Sequence, residues 1–231
     1  MQFLYKIPGY ILLLFGGFCL SWGGFIIRSF EEASIWQILF LRSFFFLLAL
    51  IAFLFVTYKK NTFNIIKDSG LPGLLGGFVL SFSFVAFVVA MSNTTVANVV
   101  FIISTQTMFL AIFGYFYLKE KVSLIGFISI ILAMSGISIM IGDSMSSGTL
   151  FGNLVALTIP ISFSILVMII RKNSDLDLVP AIWYASVFSF IYAIVMVESF
   201  NFTGHDIFMG FLLGVPQLGF GFICITIGSK T

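Results

Sequence analysis

The sequence predicts an all-α polytopic membrane protein, and three observations predict it. Of 231 residues, 60% are hydrophobic and only 9% are charged, with a mean hydropathy of +1.17, whereas soluble domains carry about 25% charged residues. The chain divides into eight apolar segments, each near the roughly 20 residues that cross about 30 Å of hydrocarbon as a helix. Its cations gather in alternate connections between those segments, as cytoplasmic loops require. The composition excludes a soluble globular enzyme. The net charge of +2 says little about partners, because the cations that matter are placed by loop; no basic, aromatic-interleaved patch points to nucleic acid, and the lipid bilayer is the expected surroundings.

Charges, Gly/Pro and polar clusters place the segments at 8–27, 35–57, 70–91, 95–118, 122–142, 149–170, 178–198 and 207–228. The first follows Lys6 and is longer than a signal-peptide core, with no small-x-small cleavage site before Arg28, so it reads as a retained span. The second carries Arg42 inside an otherwise apolar run, Ile35–Thr57. A charge at membrane depth costs about 2.5–3.5 kcal/mol on insertion scales. Arg42 therefore either faces the inside of a helix bundle or snorkels outward, since it lies roughly 10 Å below the outer end of its helix at about 1.5 Å per residue.

Small residues at helical spacing predict close helix contacts: Gly17 and Ser21 in the first span, Gly73, Gly77 and Ser81 in the third, Gly126, Ser129, Ala133 and Gly136 in the fifth, and Gly210 and Gly214 in the eighth. Pro160 and Pro216 each remove a backbone donor inside a span and predict kinks. Cys19 and Cys224 lie in apolar runs without metal-ligand spacing and read as buried small hydrophobes.

With the N-terminus inside, Lys6, Lys59, Lys60, Lys67, Lys119, Lys121, Arg171, Lys172 and Lys230 fall on the inner side, and Arg28 alone falls on the outer. This bias predicts a cytoplasmic N-terminus, with the bacterial inner membrane as the expected location.

Sliding the chain on itself by 143 residues sets Gly9 on Gly152, Leu14 on Leu157, Ser21 on Ser164 and Ile26-Ile27-Arg28 on Ile169-Ile170-Arg171. A repeat of five spans re-enters the membrane from the opposite side, which is the inverted-repeat arrangement of secondary transporters. The expected division is a first five-helix repeat over 1–142 and a partial second repeat of three helices over 149–231. The same offset pairs Arg42 with Ala185, so only one copy carries the charge.

Ser21-Trp22-Gly23, Arg42 and the stretch Thr94–Gly142 resemble the EamA-type members of the drug/metabolite transporter superfamily. The resemblance rests on a Trp-Gly pair in the first span, an arginine within the second, Glu120 just after the fourth, and Gly126 and Gly136 in the fifth. It implies ten helices in two inverted five-helix repeats and transport of small metabolites, often amino acids or their relatives. The sequence departs from the pattern twice: Ser104-Thr105-Gln106-Thr107 replaces a proline in the middle of the fourth span, and eight of the expected ten helices are present. A fragment of a longer protein, or an eight-span member that completes itself as a homodimer, are the two expectations that follow.

On the fourth span Thr94, Asn98 and Thr105 share one helical face and Gln106 lies about 80° away. These groups read as interhelical glue, or as the polar lining of a cavity. Trp22 reads as an interfacial tryptophan, and the resemblance turns it toward the substrate path. The candidate substrate-binding residues are thus Arg42, Trp22, Asn98, Thr105 and Gln106. Glu120 reads as a solvated surface charge or as a cap at a helix end. His205, with Glu198 and Asp206 beside it, reads as part of an exposed outer loop. No HExxH run and no Walker sequence occur, so neither an enzyme nor any metal or cofactor is expected.

The expected function is alternating-access transport, with export as the direction, of a small polar solute whose anionic group pairs with Arg42. The alternative is a truncated membrane protein that moves nothing unless it dimerises. The topology predicts that a cysteine introduced near Asp143 reacts with a membrane-impermeant thiol reagent added outside; reaction only from inside would reverse the orientation.

Overall fold

A computed structural model describes residues 7–121, 123–147, 149–173, 175 and 179–228. Lys6 and Lys230, which contribute to the charge bias, lie outside the described residues. The described residues are helical with short connections and contain no strand. Among them, seven helices are long and apolar enough to cross a membrane, and a further apolar stretch, Leu124–Met140, is shorter.

The helices are α1 (Gly9–Ser21), α2 (Gly23–Arg28), α3 (Ile35–Tyr58), α4 (Thr62–Asp68), α5 (Gly70–Asn93), α6 (Val96–Ser104), α7 (Gln106–Leu118), α8 (Leu124–Ser147), α9 (Leu150–Lys172), α10 (Val179–Met196), α11 (Gly204–Leu212) and α12 (Gly221–Gly228). A π-helical segment, Leu213–Phe220, joins the last two. All eight segments read from the sequence recur as helical stretches. Among the described residues three of them are interrupted: the first at Trp22, the fourth at Thr105 and the eighth at the π segment.

The chain forms two compact units, Met1–Gly70 with Ser186–Thr231, and Leu71–Ala185. Each draws helices from both halves of the sequence, and α10 runs across the division.

In the first unit α1 lies against α12 with almost no side chain between them. A Cβ on Gly16 would stand 3.0 Å from the Gly221 carbonyl, and one on Gly228 would stand 2.8 Å from the Gly9 carbonyl. Gly16 is thus the contact residue of the first span. Gly17, expected in that role, has open space around it, and Ser21 is exposed, because the packed face lies one residue away from the predicted one. Cys224 is buried in this contact zone and Cys19 is half-buried.

The N-terminal end of α3 is set by a capping box, in which Ser34 and Gln37 exchange side-chain to backbone hydrogen bonds, satisfying two orphan donors. The Gln37 amide also donates to the Ser199 and Asn201 carbonyls. Phe40 packs its ring against Phe190, Phe200 and Phe202 at centroid distances of 5.3–5.7 Å. The expectation that His205 and Asp206 sit in an exposed loop is corrected here. Thr203 caps α11, which begins at Gly204, and Asp206 in its first turn is 1% exposed. There the carboxylate meets the positive end of the helix dipole and accepts the Glu31 N–H at 3.1 Å. His205 Nε2 lies 2.9 Å from the Ser29 carbonyl.

In the second unit, a Cβ on Gly77 would collide with Tyr184 and stand 2.7 Å from the Ala181 carbonyl, and one on Gly76 would stand 2.9 Å from Leu166. The Ser83 hydroxyl donates to the Ile159 carbonyl at 3.0 Å, beside Pro160, which sits inside an unbroken α9. The C-terminus of α7 closes through Lys119 in the left-handed conformation (φ 55°), which lets the Glu120 N–H reach back six positions to the Gly114 carbonyl. Gly114 leaves room for the Glu120 carboxylate. That carboxylate takes two bonds from Arg171 in the last turn of α9, at 2.9 and 3.2 Å. Both side chains are half exposed, so the pair contributes about 0–1 kcal/mol.

The glycine contacts yield a paired prediction. Gly77→Ala should lower the unfolding midpoint of the purified protein by several degrees, about 1–3 kcal/mol of overpacking, while Gly17→Ala leaves it unchanged.

Candidate functional site

Arg42 sits two turns into α3 and is 3% exposed. The side chain is enclosed by protein, so the snorkelling reading does not hold. The π segment packs directly on this stretch of α3. A Cβ on Gly214 would stand 2.8 Å from the Arg42 carbonyl and 2.8 Å from the Phe46 nitrogen, and one on Gly210 would collide with Leu41. Only glycine lets the two backbones approach so closely.

Three residues after Gly214 comes Gln217, which is 4% exposed. Pro216 before it has no N–H to offer, and the helix here takes π geometry. Segments of this type recur at functional sites. Gln217 Nε2 donates to the Leu20 carbonyl at 3.2 Å, in the last turn of α1 just before the interruption at Trp22. The same carbonyl accepts the Trp22 N–H at the end of α1, so a backbone and a side-chain donor share it. Gln217 Oε1 is buried with no hydrogen-bond partner among the described residues. Gln217 also borders a cavity of about 320 Å³ with an apolar wall, which includes Phe18, Cys19, Trp22, Phe25 and Met209. Trp22 is 47% exposed and stands edge-on between Phe18 and Phe25, at 5.8 and 6.2 Å, the geometry favoured by aromatic quadrupoles.

The second unit holds the other three sequence candidates, and it spreads them apart. Thr94 lies in the turn before α6, not on the helix face expected of it. Thr95 caps α6 by accepting the Asn98 N–H at 3.1 Å. The Asn98 amide donates to Thr94 Oγ1 at 3.2 Å, and Thr94 Oγ1 donates to Asn153 Oδ1 at 2.7 Å. Asn153 is fully buried in the first turn of α9, next to Gly152, where a Cβ would stand 2.7 Å from the Asn93 carbonyl and from Thr94. Asn98 thus belongs to a polar knot that ties the α5–α6 turn to α9.

Thr105 marks the break between α6 and α7. Its N–H and its hydroxyl both turn back to the Ile102 carbonyl, at 3.1 and 2.6 Å, and this hydroxyl bond competes with the regular ladder. The span is therefore two half-helices, so Thr105 and Gln106 cannot be related to Asn98 by one continuous helical wheel. The buried Thr105 lines a groove of about 490 Å³ between α7 and α8, together with Ser104, Thr107, Gly126, Ser129 and Ala133. Gly126, Ser129 and Ala133 of α8 border this groove where close contact was expected, whereas Gly136 packs tightly, 3.2 Å from Phe101 by its Cβ direction. Gln106 opens α7 with its side chain half-buried, and its carbonyl accepts a bond of 3.4 Å from Ser164.

Arg42 and Trp22 thus fall in one unit and Asn98, Thr105 and Gln106 in the other. Two residues escape the sequence reading. Gln217 has a signal in an amide placed directly after a proline inside a span, and Asn153 has a weaker one in an amide following Gly152.

The family model of the EamA-like transporter family matches residues 7–142. No curated protein and no solved structure matches the chain.

The polar knot makes a separable prediction. Asn153→Ala removes the buried acceptor of the Thr94 hydroxyl bond and should cost about 1–3 kcal/mol, read as a lower unfolding midpoint. Asn98→Ala, at a half-buried position, should cost clearly less.

Proposed function

Because the chain belongs to the EamA-like transporter family, whose members are membrane transporters and not enzymes, we propose that this integral membrane protein is a secondary transporter. It exports small polar metabolites such as amino acids or related compounds by alternating access. Its N-terminus is cytoplasmic and its site is the bacterial inner membrane, in accord with the placement of its lysines and arginines.

The observation that carries this reading is Arg42, a guanidinium enclosed by protein within a membrane span. Ionisable groups at such depth are retained for substrate paths and relays far more than for stability. The planar fork of an arginine matches a carboxylate or phosphate with two parallel bonds, so Arg42 takes the anionic group of the solute. The glycine-tight packing of the π segment on the Arg42 backbone supports this assignment, because interrupted spans are where transporters place their polar sites. Trp22, beside the cavity in the same unit, contributes an apolar wall. Asn98, Thr105 and Gln106 form a separate group of polar candidates within the second unit.

Reconstitution of the full chain into liposomes tests the reading. Flux of one or more amino acids or related anionic solutes should appear, and Arg42→Gln should reduce it at least tenfold, the loss of roughly 1.4 kcal/mol or more of charge-assisted binding. Gln106→Leu should impair the flux while the protein still inserts. Absence of any Arg42-dependent flux would remove the assignment.

A further inference from the structure

We propose that residues 59–68, where α3 ends, are a docking surface for an anionic phospholipid: the Phe63 ring enters the acyl region, and Lys59, Lys60 and Lys67 take the charge of the lipid phosphate. This goes beyond the transporter reading and does not depend on it.

The backbone of this stretch is sharply shaped. α3 stops at Tyr58, and Lys59 after it has φ 50°, a value that residues with a Cβ seldom adopt. A single 3-10 turn, Lys59–Asn61, leads into α4, and beyond α4 the chain turns again at Gly70, with φ 52°. Side-chain hydroxyls tie both ends. Thr62 is buried and reaches the carbonyls of Leu54 at 3.2 Å and of Lys59 at 2.9 Å, and the buried Ser69 donates to the Ile66 carbonyl at 2.7 Å. A lysine held at positive φ by its surroundings is a costly arrangement, and such positions gather where a protein binds something.

The side chains indicate what is bound. The ten residues carry three lysines against one acid, Asp68, and all three lysines are exposed. Phe63 is 72% exposed, and its ring stands edge-on to that of Phe55 at 6.2 Å. Phe55 is itself half exposed within a membrane-length apolar run, so the two rings make one apolar face at the end of the span. Lys67 follows Phe63 by four residues and shares its side of α4, whereas Asp68 lies about 100° further round. An exposed ring flanked by cations on flexible stems is the interfacial pattern, in which the ring sits among acyl chains and the ammonium groups reach the headgroups. Lysine holds a phosphate as a point charge, without a fixed geometry. The net positive charge complements a lipid whose phosphate is not offset by an ammonium of its own, as clusters of cations beside membrane spans do.

Native mass spectrometry of the purified full chain, titrated with phosphatidylglycerol and with phosphatidylcholine of the same acyl chains, tests the assignment. The first phosphatidylglycerol should bind roughly tenfold tighter than the first phosphatidylcholine. Lys59→Gln, Lys60→Gln and Lys67→Gln combined should bring that ratio close to one, and Phe63→Ser should weaken both lipids alike. Lys59→Gly relieves the backbone, so it should raise the unfolding midpoint of the lipid-free protein and still lower the ratio; it decides the question if the combined variant does not fold. Lys59→Gln with Lys60→Gln should lower the ratio clearly more than Lys119→Gln with Lys121→Gln, an equal loss of charge on either side of Glu120. Glycerol phosphate in large excess, which has the phosphate but no chain, should not displace the lipid. A ratio near one in the wild type, an unchanged ratio in the combined variant, equal losses in the two lysine pairs, or displacement by glycerol phosphate would overturn the proposal. None of these results touches Arg42-dependent flux, which the liposome experiment reads separately.

Discussion

An unpaired peptide N–H or C=O in hydrocarbon costs several kcal/mol, so a chain that crosses a membrane is helix wherever it can be. Every departure from helix must then find partners for the groups it releases. Among the described residues this protein departs three times inside its spans, and each departure has its own remedy. At Trp22 the nearby Leu20 carbonyl takes the Gln217 amide. At Thr105 the residue's own hydroxyl fills the gap by bonding Ile102. Around Pro216 the chain adopts π geometry, which accommodates the missing donor without opening the helix.

Glycine makes the second contribution. Apolar side chains gain little by leaving lipid for one another, so helices in a bilayer associate through close packing. Gly77, Gly152, Gly214 and Gly228 each bring one helix's backbone to within touching distance of another's. Such contacts are rigid, because no side chain is present to yield. They fix the polar groups beside them: Gly152 sets Thr94 against Asn153, and Gly214 sets the π segment against Arg42.

Much of the fold is legible in the sequence, since hydrophobic length and loop charge govern how a chain sits in a bilayer. Arg42 is identifiable there as inward-facing or snorkelling, and only the packing of α3 decides between the two. What the sequence does not reveal is phase. Gly16 and Gly17 are indistinguishable as small residues, and which of them touches α12 depends on a rotation set by distant helices. Interruptions are hidden for a similar reason: Ser104-Thr105-Gln106 is compatible with a continuous helix until the Thr105 hydroxyl bonds backward. The face expected of Thr94, Asn98 and Thr105 is broken at that point. Asp206 is easily misplaced because a buried carboxylate at a helix start resembles, in one dimension, a solvated loop acid. Gln217 and Asn153 acquire meaning only from partners 197 and 59 residues away.

The pairing of α1 with α12 bears on how the protein is made. A helix that leaves the ribosome early rests against one that leaves it much later, through glycines at both ends of the contact. During synthesis α1 enters the bilayer with that bare backbone face turned to lipid, and it stays so until α12 has emerged. Its unit can close only after translation has passed Gly228, so assembly waits on a long-range encounter, a kind of contact that forms slowly. Until then α1 depends on the insertion machinery, or on lipid, to keep that face unoccupied by other helices.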